Sequence, residues 1–146
     1  MDPNPDLGHE VETGTGGLRL PLARRVVAEA LGTALLVMAV VGSGIMATRL
    51  SPGDVGLQLL ENAIATGGAL VGLILMMGAV SGAHLNPIVT LVDRALGSIP
   101  TRDALAYVPA QIAGACAGAA LANLMFDLPV VELSTHRRAS GALWLS

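Results

Sequence analysis

Two polar groupings stand out in an otherwise apolar sequence, and both could do chemistry. The first is Asn86-Pro87, which opens the stretch PIVTLVDRA. Asn is a good N-cap and Pro fits the first helical position, so the pair predicts a helix over about 87–96. The N-terminus of such a helix carries unpaired N–H groups and a partial positive charge, which repels cations. The Asn86 amide can donate to a solute oxygen, and the backbone carbonyls of Gly82, Ala83 and His84 just before it can accept from a solute hydroxyl. Donors on one side and acceptors along the approach suit small neutral hydroxylated molecules. The second grouping is Glu29, an acid inside a long apolar run, which is costly enough in lipid to require a partner or a function.

Other reactive residue types lead nowhere. Glu29 and His84 stand without a nucleophile or a metal cluster, so no enzymatic grouping is expected. The single Cys116 lies among small apolar residues and reads as packing. His9 beside Glu10 and Glu12 has no fixed geometry in a polar tail, so neither metal nor cofactor is expected there.

The elements that must carry these residues follow from composition. Of 146 residues, 53% are hydrophobic, 13% charged and only 2% aromatic. That balance belongs to a membrane protein, and the eighteen glycines suit helices that associate in lipid by close backbone approach. Net charge is -3 without a long basic run, which sets nucleic-acid binding aside. Apolar runs at about 26–47, 57–80 and 104–126 are each long enough to span a bilayer, the first covering roughly 33 Å. Residues 1–21 are polar and lack the pattern of a secretory signal, reading as a disordered cytoplasmic tail. Gly68 with Gly72, and Gly114 with Gly118, each place two glycines on one helix face and indicate close packing.

Residues 81–100 are too polar for a fourth span and too apolar for an ordinary loop. The helix over 87–96 would be about 15 Å long, half a bilayer. Irregular backbone leading into a half-helix at membrane depth must be buried in protein or line a wet cavity, so the segment is expected to be re-entrant. With the tail inside, Arg19, Arg24, Arg25, Arg94 and Arg102 fall on the cytoplasmic side against Arg49, Arg137 and Arg138 outside, a modest bias.

The string SGAHLNPIVT, Ser81 to Thr90, resembles the first signature loop of the major intrinsic protein family, the aquaporins and glycerol facilitators. AEALGT at Ala28 to Thr33 and YVPAQIAGACAGA at Tyr107 to Ala119 agree in order and spacing, over about 23–126. The resemblance implies an all-α membrane fold, an aquaporin-like half-barrel of three transmembrane helices plus one re-entrant half-helix, over 22–126. It implies the first of two inverted repeats whose half-helices meet at the bilayer midplane, a location in the plasma (inner) membrane, and passage of water or small neutral solutes such as glycerol or metalloid acids. By resemblance, Asn86, Pro87 and Ile88 form the pore motif, Gly82, Ala83 and His84 offer pore-facing carbonyls, and Glu29 supports the loop. The His84 ring is either braced by polar neighbours or a wall of the cytoplasmic vestibule. Counting back from the motif puts Thr66 at the family's constriction, where a water-selective member carries an aromatic ring; a Thr favours larger solutes. Ile88 replaces the usual Ala and adds bulk where the two half-helices would abut.

Residues 127–146 read as a polar loop and the beginning of a fourth span. No second Asn-Pro motif follows residue 126, so three arrangements are open: a truncated channel, a half-channel paired with an inverted copy of itself, or a non-conducting membrane scaffold.

Overall fold

The computed structural model describes residues 20–131. The tail expected over 1–21 therefore lies almost wholly outside the described residues, as does most of 127–146. Four helices make up the described chain: α1 (Leu22–Leu50), α2 (Val55–Ser81), α3 (Pro87–Ala95) and α4 (Thr101–Met125). Three of them are long and apolar enough to cross a membrane, and α3 is a nine-residue half-helix, so the chain is an all-α membrane protein.

Local signals set the ends. Asp54 caps α2, its side chain accepting from Leu57 N at 2.9 Å, and Gly82 ends that helix in the left-handed region at φ 95°, where glycine carries no Cβ penalty. Asn86 Oδ1 accepts from Ile88 N at 2.8 Å, and Pro87 takes the first helical position of α3. α1 and α4 begin several residues before their apolar runs because their first turns carry charge. Arg25 of α1 pairs with Asp103 of α4 at 2.5 Å, so polar residues that end a hydropathy count continue the helix.

α1 lies between α2 and α4, whose backbones stay apart among the described residues, and α3 rests on α4. Gly114 and Gly118 make the α1–α4 crossing possible: a Cβ at either would collide with the backbone carbonyl oxygen of Ala30 or Ala34, respectively. Gly68 and Gly72 behave differently. Nothing among the described residues lies within 4 Å of a Cβ at either position, so the packing read from their spacing is absent there. The reason is geometric, since α2 turns only part of its circumference to α1. Large apolar side chains such as Leu59 (70% exposed), Leu75 (78%) and Leu105 (71%) cover the outer faces, as a lipid or protein environment requires.

Candidate functional site

Glu29 is completely buried on α1, and four donors converge on its carboxyl group. Oε1 accepts from Ser81 Oγ at 2.6 Å and His84 N at 3.0 Å; Oε2 accepts from Leu85 N at 2.7 Å and Gln111 Nε2 at 2.8 Å. Two of these are backbone N–H groups of the loop between α2 and α3, which no helix or strand could satisfy. A side chain thus replaces secondary structure as their partner.

The loop needs that partner because its backbone is strained. Gly82 is at φ 95°, Ala83 at 51° and Leu85 at 52°, three left-handed residues in four. For the two without glycine's freedom the conformation costs about 1 kcal/mol or more each and persists only where surroundings over-determine it. Ser81 Oγ accepts from Ala83 N at 3.2 Å, and the Glu29 bonds fix the next two residues. Leu85, only 3% exposed, presses its Cδ2 onto Gly32, one turn along α1 from Glu29. Glu29 and Gly32 therefore share a face on which one residue binds the loop backbone and the other admits its side chain.

A polar chain continues behind the loop. Gln111 Nε2 also donates to Thr90 Oγ1 at 2.9 Å, and Thr90 Oγ1 lies 3.1 Å from His84 Nδ1. His84 Nε2 lies 3.0 Å from Asp93 Oδ2. The carboxylate can only accept, so the fitting neutral tautomer carries its hydrogen on Nε2 and takes the Thr90 hydroxyl hydrogen at Nδ1. The ring is 8% exposed and packs edge to face on Tyr107 with centroids 5.6 Å apart. It is thus braced by polar and aromatic neighbours, while Gly82 and His84 also border an open cavity of about 310 Å³ with Arg25, Ser81 and Ser98.

Tyr107, 1% exposed, donates its hydroxyl to the Ser81 carbonyl at 3.0 Å and so ties α4 to the last turn of α2. Tyr107→Phe is expected to cost about 1 kcal/mol. A thermal unfolding midpoint in detergent lowered by a few degrees checks it; an unchanged midpoint contradicts it.

The structure does not bring all the expected residues together. Glu29, Gly82, Ala83, His84, Asn86 and Pro87 form one cluster. Thr66 lies fifteen positions before Ser81 on α2, roughly 22 Å along the helix. There its hydroxyl donates to Asn62 Oδ1 at 3.1 Å. Ile88 is 66% exposed at the start of α3, clear of the packed cluster. Gln111, Thr90, Tyr107 and Asp93 were not singled out from the sequence. Gln111 carried a usable signal, being a polar side chain in the middle of an apolar span like Glu29; the other three carried none.

The family model described as Major intrinsic protein matches residues 18–142. The aquaglyceroporin AqpS of Rhizobium meliloti is 58% identical over 125 residues, covering 86% of this chain and 53% of that protein. A probable aquaporin of Arabidopsis thaliana is 42% identical over 94 residues (64% of this chain, 33% of that one). An aquaporin Z of Rhodopseudomonas palustris is 38% identical over 101 residues (69% and 41%). The chain spans about half the length, or less, of these relatives.

Proposed function

The chain belongs to the major intrinsic protein family, and on that premise we propose that it builds one half of a plasma-membrane pore. Water or small neutral solutes, such as glycerol or metalloid acids, cross that pore passively. The observation that carries this reading is the strained loop at residues 82–85, held open on Glu29 and running into a half-helix capped by Asn86. Backbone in this form exposes carbonyls that a helix would consume, and it survives in a membrane where it borders a wet passage. Asn86 Oδ1 is committed to Ile88 N, so its Nδ2 hydrogens are what the residue offers a solute. The N-terminus of α3 adds a positive potential that keeps cations out. Gly82, Ala83 and His84 supply acceptor carbonyls, Pro87 and Ile88 complete the motif, and Thr66 stands at the constriction. The other half of the passage comes from a second repeat or an inverted second copy, and bilayer lipid surrounds both.

The test substitutes this chain for the matching half of the Rhizobium meliloti aquaglyceroporin and reconstitutes the product in proteoliposomes. Glycerol-driven swelling well above that of empty vesicles is expected, with Asn86→Ala lowering it about tenfold while membrane insertion is retained. A chimera that inserts and folds yet swells no faster than empty vesicles overturns the reading.

A further inference from the structure

The hydroxyl of Thr66 has a fixed direction, and the cause lies one turn away. Asn62 Nδ2 donates to the Val40 carbonyl of α1 at 3.2 Å, and Asn62 Oδ1 faces Thr66 Oγ1 at 3.1 Å. A carbonyl can only accept, so the end of the Asn62 amide turned towards Val40 must be its NH₂. The end turned towards Thr66 is then the oxygen, and Thr66 must donate its single hydroxyl hydrogen to it. What Thr66 retains is lone pairs. A threonine within a helix ordinarily spends that hydrogen on the backbone carbonyl of the preceding turn; here a side chain anchored on the neighbouring helix takes it. Gly44 makes the anchor possible, because a Cβ there would stand 2.8 Å from Asn62 Nδ2. Gly44 and Asn62 also border an open cavity of about 350 Å³ with Gln58, Thr48 and Leu59 between α1 and α2.

We propose, on the channel reading, that Asn62 is a positioning residue that makes Thr66 an acceptor-only group at the constriction, selecting neutral solutes able to donate hydrogen bonds from several hydroxyls. A polyol meets an acceptor aimed at its hydroxyl hydrogens as it sheds water, and that contact offsets part of its lost hydration. Water, with two hydrogens and a small desolvation penalty, gains less from one extra acceptor. Thr66 therefore acts on the ratio of polyol to water permeability more than on either alone.

The chimera described above, carrying the full chain, tests this in proteoliposomes with glycerol and water permeabilities measured side by side. Thr66→Val exchanges a hydroxyl for a methyl at nearly constant volume, so the bore is kept and the acceptor lost. The glycerol-to-water ratio is expected to fall about fivefold, the effect of one hydrogen bond. Thr66→Ser keeps the hydroxyl and restores the ratio. Asn62→Leu frees the hydroxyl from its anchor and lowers the ratio by a similar factor in the parent, yet by nothing further in the Thr66→Val background. Gly44→Ala, which leaves both polar residues in place but displaces the Asn62 amide, reproduces the Asn62→Leu ratio and carries the test if that variant does not insert. An unchanged ratio in Thr66→Val, with both fluxes present, overturns the role of Thr66 while leaving the channel intact. A further fall when Asn62→Leu is added to Thr66→Val overturns the route through Thr66. Absence of all flux in the parent chimera overturns the channel reading and this proposal together.

Discussion

Glu29→Gln is expected to cost about 3 kcal/mol and to release the loop between α2 and α3 from α1. The amide offers one acceptor oxygen where the carboxyl group offers two, and its NH₂ must face one of two donor pairs. If it replaces Oε1, the Ser81 hydroxyl can rotate to accept, but His84 N–H is left pointing at a donor. If it replaces Oε2, Gln111 can flip its amide, but Leu85 N–H is stranded instead. Either orientation leaves one buried backbone donor unsatisfied, at about 1–3 kcal/mol, and weakens the remaining bonds. The lost bonds also hold Ala83 and Leu85 in left-handed conformations, whose strain is then unopposed. Amide hydrogen exchange at His84 and Leu85 in detergent micelles reads the outcome directly: exchange should speed up by two orders of magnitude or more, together with a lower unfolding midpoint. Unchanged protection at both amides would show that the loop holds its shape without Glu29. In the chimera, the same substitution should reduce glycerol flux at least tenfold, because the loop carbonyls lose their alignment.

Much of this arrangement is legible in the chain before any coordinates. Long apolar runs need only counting, and the Asn-Pro pair announces a helix start with a mechanism behind it. Both α1 and α4 nevertheless begin before their apolar runs, since Arg25 and Asp103 offset each other's charge across two helices that hydropathy treats separately. The acid at position 29 is conspicuous because lipid penalises it, but which atoms it holds is a matter of tertiary placement. His84 N and Leu85 N belong to the backbone, which has no letter in a sequence. The same limit hides Tyr107 and Thr90, whose types are ordinary at helix positions and whose partners lie on other elements. Asn62 illustrates a further limit. It sits near the start of an apolar span, where a polar residue draws no notice. Its function emerges only from the carbonyl of Val40 opposite it.

Glycine spacing separates in a similar way. Two pairs share the same four-residue interval, yet Gly114 and Gly118 meet the carbonyls of Ala30 and Ala34 while Gly68 and Gly72 meet nothing among the described residues. Spacing gives the face and cannot give the neighbour. In the α1–α4 pair the neighbour matters for the site, because Gln111 stands one turn from Gly114 and must reach Glu29 across the same crossing.

Substituting alanine for both Gly114 and Gly118 is therefore expected to act on the loop as well as on the fold. Each added methyl would collide with backbone, which cannot swing aside as a side chain does, so α1 and α4 must separate. Overpacking of this kind costs about 1–3 kcal/mol per site, and two sites one turn apart on one helix face add because separation at one does not relieve the other unless the whole helix moves. A total near 4 kcal/mol is a large share of the stability of a domain this size. Whole-helix movement would relieve both clashes, but it lengthens the 2.8 Å bond from Gln111 Nε2 to Glu29 Oε2 and the 2.5 Å pair between Arg25 and Asp103. Circular-dichroism melting in detergent should show the double variant unfolding well below the parent, with each single variant between them. Exchange at Leu85 N–H should rise in the variants that still fold, since its acceptor moves with α1 relative to Gln111. Alanine at Gly68 and Gly72 supplies the contrast: with no atom in reach, that pair should melt at the parent temperature or above it, alanine being the better helix former by about 1 kcal/mol per position. Equal losses from the two glycine pairs would mean that α2 has a close neighbour in the assembled protein, and that its glycine face is packed after all.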